Sequence, residues 1–249
     1  DISKEIEEYK LSLFNPTFYV KPEFKGLYNK SIGNFDQLGR ESYLIGMMKV
    51  NFLKRLESSI RSFQYTLERT IAKITQLEQD LNTFKSVKSG SLEIAPTPEI
   101  DEDTAEEQPD LFDFAKEFTT GKKKTFAFTH LRVDDFLDAL QKDKRQLNKL
   151  LLQARDVSPD RDLKLAKLKQ LLTVKFAAPA VDRDGLPNRK ALVFTAFADT
   201  AQYLYDNLQA WALENFGIRS ALVSGSKQNQ TNFRPEGYES QTDYNRILI

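Results

Sequence analysis

The sequence predicts an α/β chain with a large helical part, in which a long helical hairpin or bundle precedes an incomplete parallel α/β lobe. Three observations predict it. Apolar residues recur by threes and fours from Leu53 to Phe84, and again from Phe136 to Leu172, the spacing of helix faces. An acidic, proline-containing stretch divides those two runs. Beyond Gly185 and Pro187 the pattern changes to short apolar runs that end in small and hydroxyl residues, as strands that feed helices do.

Residues 1–40 scatter Phe14, Phe18, Tyr19, Phe24, Tyr28 and Phe35 among Pro16, Pro22, Gly26 and Gly33. That mixture predicts an extended arm, or short helices packed onto something larger. Residues 41–178 are read as the helical hairpin or bundle. Leu53, Leu56, Ile60, Phe63, Leu67, Ile71, Ile74, Leu77, Leu81 and Phe84 form one stripe, read as a single helix of about 40 residues near the coiled-coil repeat. A stripe that long needs a partner helix, or a second copy of the chain. Residues 86–118 are read as a mobile linker. Phe136, Leu137, Leu140, Leu147, Leu150 and Leu151 then mark a helix capped by Asp134 or Asp135. Ser158 and Pro159 restart a helix, cap followed by proline, whose face is Leu163, Leu165, Leu168, Leu171 and Leu172. Residues 186–249 are read as the start of the α/β lobe.

Zero net charge conceals strong segregation. Residues 91–118 carry one basic residue against ten acidic, whereas residues 119–175 carry fourteen basic against seven acidic. The basic region reads either as a DNA-facing surface or as an ordinary solvated helix face. With no cysteine, disulfides and thiolate metal sites are excluded, which is compatible with the reducing cytoplasm where the chain is expected. A single histidine, His130, disfavours histidine catalysis and zinc binding; it reads as a partly exposed residue near a helix start. No run approaches the roughly 18 apolar residues of a membrane helix, and the amino end lacks signal-peptide order.

Ala191, Leu192, Val193 and Phe194 read as a buried parallel strand. It breaks at Thr195, Ala196 and Phe197 and re-enters as a helix capped by Asp199 or Thr200. Leu204, Leu208, Trp211 and Phe216 share one face of that helix and are expected to cover a sheet. Trp211, Tyr203 and Tyr205 are read as core anchors rather than base-stacking platforms. A second strand is read from Ser220 to Gly225. Small and hydroxyl groups at strand carboxyl ends and helix amino ends are where open α/β sheets bind phosphates. The polar residues 226–232 are read as a loop, either touching nucleic acid through Lys227 or simply exposed.

This segment resembles motif IV of helicase superfamily two, in the bacterial Swi/Snf-related branch. Phe194, Thr195, Ala196, Phe197 and Thr200 match the opening of that family's second RecA-like lobe, and Leu222, Val223, Ser224 and Gly225 match its next strand. Upstream, Leu53, Lys54, Arg55, Leu56, Glu57, Ser58 and Ser59 are similar to a helix that lies between the family's two lobes. The resemblance implies a DNA-dependent ATPase whose parent protein uses ATP and magnesium, and whose lobes grip the phosphate backbone of double-stranded DNA. It implies that Thr195, Ala196, Phe197, Thr200, Ser224, Gly225 and Lys227 lie along the DNA. Lys54 and Arg55 would contact the backbone or pair with Glu57, while Glu57, Ser58 and Ser59 would orient the lobes.

The nucleotide motifs themselves are missing. Thr120 to Thr125 imitates a phosphate loop, but no glycine stands five residues before Gly121, and Lys123 replaces the magnesium-binding hydroxyl. Asp101 to Thr104 imitates an acidic box, but Pro96 and Pro98 occupy the place of its strand. The expectation is therefore a non-catalytic piece of a larger enzyme, with no cofactor of its own and the first RecA-like lobe as its partner. A helical protein-interaction module without DNA binding is the alternative. An independent α/β enzyme built on Asp182 and Asp184 is a third reading.

Overall fold

The computed structural model describes residues 2–28, 37–86, 93–94, 126–225 and 229–233. The chain divides into two compact units, one of Asp1–Glu57 with Phe63–Arg155, the other of Ser58–Ser62 with Asp156–Ile249. Its helical content is large, as expected. The acidic stretch 86–118, with both imitation motifs, lies outside the described residues except for Ser86 and the pair Glu93 and Ile94. Among the described residues, no helix is long and apolar enough to cross a membrane.

The first unit holds helices α1 (Ile2–Glu7), α2 (Lys25–Tyr28) and α3 (Gln37–Ser58), most of α4 (Ile60–Ser86), and α5 (Val133–Arg155). The stripe read as one helix is two. Ser59 breaks it, and its hydroxyl accepts a hydrogen bond from the Ser62 amide at 3.1 Å, the geometry of a helix N-cap. Helices α4 and α5 form the expected antiparallel pair. Glu68 meets Arg155 at 2.8 Å, Glu78 meets Lys144, and Lys85 meets Asp134 at 2.5 Å, so one helix rises in number as the other falls. The exposed pairs Glu68–Arg155 and Lys85–Asp134 are each worth about 0–1 kcal/mol and mark register more than they add stability. The stability resides beneath them: Phe63, Leu67, Ile74, Leu81, Phe136, Leu140, Leu147 and Leu150 are essentially inaccessible to solvent. The cap of α5 differs from expectation. The helix begins at Val133, so Asp134 and Asp135 occupy its first turn, where they still favour the helix dipole.

Residues 2–28 follow the short-helix alternative. Three 3₁₀ turns, Ser12–Phe14, Pro16–Tyr19 and Pro22–Phe24, bury Leu13, Phe14 and Tyr19. Each proline sits at the first position of its turn, where its missing amide costs no hydrogen bond. The segment is tied to residues 130–132 by Lys21 N–H to His130 O (2.9 Å) and Arg132 N–H to Tyr19 O (2.8 Å). His130 is partly exposed, stacked on Phe24 at 4.0 Å, with Nδ1 and the Tyr28 hydroxyl 2.8 Å apart. Strands β1 (Glu93–Ile94) and β2 (Phe126–Ala127) pair antiparallel.

Two buried carboxylates hold this amino-terminal segment. Glu41 accepts from the amide and hydroxyl of Thr17 (3.2 and 2.6 Å) and from Gln37. Asp143 accepts from the Ser12 amide at 2.5 Å. Burial pushes both carboxyls above their ordinary values of 4.5 and 3.8, against the pull of those donors. The folded state therefore binds protons that the unfolded chain has released. Stability from these groups is complete below about pH 4 and is lost as pH rises through the raised values. Urea unfolding of wild type is expected to weaken more steeply from acid to neutral pH than that of Glu41→Gln with Asp143→Asn. Parallel pH profiles would contradict this.

The second unit contains α6 (Leu163–Ala177), β3 (Ala180–Val181), β4 (Pro187–Asn188), α7 (Ala198–Phe216), β5 (Ala221–Leu222) and β6 (Gln230–Thr231). Ser158 and Pro159 open a 3₁₀ turn, and α6 starts one turn later, capped by Asp162 through the amides of Lys164 and Leu165. On α6, Leu165 and Leu172 are buried and Leu168 partly so, but Leu163 and Leu171 face solvent. The α7 face formed by Leu204, Leu208, Trp211 and Phe216 packs in one cluster with Leu165, Leu172 and Phe176 of α6. It covers a helix where a sheet was expected. Helix α7 ends at Gly217, whose φ of 65° suits glycine; the next amide, of Ile218, returns to Ala212 O at 3.1 Å.

The strand readings need correction. Ala191 to Phe194 joins no ladder among the described residues, and Leu192 and Phe194 are 72 % and 90 % exposed. An apolar run reads identically whether its sheet neighbours are present or not, so composition alone could not settle the pairing. Only Ala221 and Leu222 of the second segment form a strand, and they pair antiparallel with Gln230 and Thr231. The polar stretch read as a loop thus supplies strand β6. No parallel ladder is present among the described residues.

Candidate functional site

The expected site residues gather only in part, around the start of α7. Helix α7 begins at Ala198, with Phe197 in the capping position and Asp199 and Thr200 inside the first turn. Neither Asp199 nor Thr200 is the cap. The Thr195 hydroxyl instead accepts from the Phe197 amide at 3.4 Å, a weak local turn bond just ahead of the helix. Asp199 is buried, and its carboxylate answers the positive end of the helix dipole.

Thr200 is buried, and its hydroxyl lies 2.7 Å from that of Ser58 and 3.0 Å from that of Ser59. Three hydroxyls, from two segments about 140 positions apart in sequence, therefore share hydrogen bonds. Ser59 holds this geometry while capping α4, so one side chain fixes both the helix break and the contact with α7. Ser58 and Ser59, the last two residues of the upstream segment of the resemblance, thus meet Thr200 of the later segment within the second unit. The double role of Ser59 had a legible signal: two serines before an apolar helical run are a start signal as well as a hydroxyl pair.

Thr200→Val keeps the shape of the side chain and removes the shared hydroxyl, leaving Ser58 and Ser59 without it. The expected loss is about 1–3 kcal/mol. Trp211, the chain's single tryptophan, belongs to the second unit, so its fluorescence during denaturant unfolding reports the affected part. An unchanged midpoint would contradict the hydroxyl contact.

The other expected contacts divide. Thr195 is half-buried and Ala196 exposed, so both are open to a ligand. Phe197 is 3 % exposed and its ring serves the core; Thr200 is likewise enclosed and can only position its neighbours. Ser224 and Gly225 lie at the mouth of the β5–β6 hairpin, where the Ser224 amide donates to Asn229 Oδ1 at 2.9 Å. No ladder joins them to Thr195–Phe197. Lys227 lies outside the described residues. Lys54, Arg55 and Glu57 belong to the first unit, apart from Ser58 and Ser59. Lys54 is half-buried, Glu57 exposed, and Arg55 buried, which withdraws its guanidinium from any phosphate.

Of Asp182 and Asp184, the first serves a turn. The Asp182 carboxylate accepts from the amides of Asp184 and Leu186 (3.0 and 2.8 Å), closing the β3–β4 turn in which Gly185 has a φ of 79°. Among the described residues no group of three or more His, Cys, Asp or Glu is placed to hold a metal. Comparison with protein-family models, with curated proteins and with solved structures finds no match.

Proposed function

We propose that the chain is a non-catalytic part of a DNA-dependent ATPase of the Swi/Snf-related kind, contributing lobe architecture and contacts to the phosphate backbone of duplex DNA. The observation that carries this reading is the meeting of Ser58 and Ser59 with Thr200, because it joins the two segments on which the resemblance rests. The exposed apolar side chains of Leu192, Val193, Phe194 and Val223 also support it. Such runs are what strands of a parallel lobe present when their sheet neighbours are missing. In this reading the finer architecture is RecA-like, ATP and magnesium belong to the parent protein, and the first lobe is the partner.

The chemistry of the site limits what the contact does. Asp199 already supplies negative charge to the first turn of α7, so phosphate contact falls to the Thr195 hydroxyl and the Ala196 backbone ahead of it. These groups position a backbone and read no bases. Binding is therefore expected to be weak, independent of sequence and dependent on salt.

Anisotropy of a short labelled duplex, titrated with the chain at about 50 mM and about 200 mM salt, tests this. The expected result is binding that weakens steeply with salt, is further weakened by Thr195→Val, and comes with no ATP turnover above blank. Absence of binding at the lower salt, or turnover by the chain alone, would overturn the proposal.

A further inference from the structure

Helix α6 is apolar on two faces, and only one is covered. Leu165, Leu172 and Phe176 pack in the cluster shared with α7, whereas Leu163, Leu171 and Val174 are 83 %, 57 % and 64 % exposed. With Lys167 between them, these residues follow helical spacing: Leu163, Lys167, Leu171, Val174 form one stripe along the outer surface. The lysine stem adds methylenes to the stripe while its ammonium stays in water. A helix that is apolar all round is ordinarily buried, so this face has the character of a contact surface.

Charge identifies the partner. Helix α6 carries Lys164, Lys167, Lys169 and Lys175 and no acidic residue. We propose that the outer face of α6 docks an acidic amphipathic helix of a partner protein, whose apolar stripe covers Leu163, Leu171 and Val174 while its carboxylates meet Lys164 and Lys167. Helix against helix is the geometry that a stripe spaced by fours and threes accepts. Nucleic acid would leave the leucines bare, since a phosphate backbone offers nothing apolar to cover them. A membrane surface gains little from three aliphatic side chains with no aromatic among them.

The proposal does not depend on DNA binding, and its test is separate. A labelled synthetic helix with leucines at the stripe spacing and flanking glutamates is titrated into the full chain, with anisotropy as the readout. The peptide is expected to bind, to be lost with Leu171→Glu, and to weaken about tenfold or more with Lys164→Glu plus Lys167→Glu. A peptide with lysines in place of the glutamates is expected to restore binding to the doubly substituted chain. Both sets of substitutions lie on the exposed face, and unchanged Trp211 emission checks that the unit stays folded. Failure of the peptide to bind, equal binding to all variants, or binding of the chain to phosphatidylserine vesicles but not to the peptide would overturn the proposal. So would loss of duplex binding in Leu171→Glu, because the face would then belong to nucleic acid.

Discussion

Phe136→Ala is expected to destabilise the first unit by about 3–5 kcal/mol, the range for deleting a fully buried aromatic side chain. Phe136 is completely inaccessible and sits in the first turn of α5. Its ring stacks on Tyr19 at 4.5 Å with planes 21° apart, so it supports both the helix pair and the amino-terminal segment. The backbone cannot close over the cavity, because residues 19–21 are hydrogen-bonded to residues 130–132 beside it. Against a typical total of about 5–15 kcal/mol, such a loss brings the unit close to unfolding near room temperature. Denaturant unfolding followed by circular dichroism measures it. A change below about 1 kcal/mol would mean that the site is not a packed core.

Asp162→Ala is expected to cost the second unit about 2–4 kcal/mol, from two effects of one carboxylate. Oδ1 caps α6 by accepting from the amides of Lys164 and Leu165 at 2.9 and 3.0 Å, and losing such a cap costs about 0.5–2 kcal/mol. Oδ2 accepts from the buried Tyr203 hydroxyl at 2.9 Å, and orphaning that donor costs about 1–3 kcal/mol more. Burial, then the neighbouring carboxylate, pushes the Tyr203 phenol up, as a proton held between those groups requires. Asp162→Asn separates the contributions: it keeps an oxygen for the cap and turns its amide toward Tyr203. Trp211 fluorescence is expected to show the alanine variant clearly weaker than the asparagine variant. Equal losses would assign the whole effect to the Tyr203 contact, because the asparagine variant keeps the cap.

The helices were legible in the sequence and their partners largely so, because a helix face is set by local periodicity. Phe63, Leu67, Leu81, Phe136, Leu140 and Leu147 are buried where their spacing places them. Helix starts were less legible. Asp134, Asp199 and Ser158 are all good capping residues, yet the caps that form are Ser59 and Asp162, chosen by what their second contact holds. Burial of a carboxylate could not be read either: Glu41 and Asp143 look like solvated charges until the folded chain brings Thr17 and Ser12 to them. The strands were the least legible. Val193 and Leu222 sit in similar apolar runs, but pairing is a property of the neighbour, and Leu222 found its neighbour in a polar stretch. At the candidate site the hydroxyl residues were identified, and Ser58, Ser59 and Thr200 do come together. Their task differs from the expected one, since a buried Thr200 can orient a phosphate contact but cannot make it.

The functional account stands on the junction of two distant motifs at the start of α7, and a cross-link tests that junction directly. The chain has no cysteine, so Ser58→Cys with Thr200→Cys introduces its only two thiols. Their hydroxyls now lie 2.7 Å apart, close enough for sulfurs to bond without moving the backbone far. Mild oxidation, followed by thiol titration and intact mass, is predicted to give a monomer that has lost both free thiols and retains native circular dichroism. Thiols that stay free, or that pair only between molecules, would show that the motifs do not meet and would remove the ground for a DNA-motor assignment.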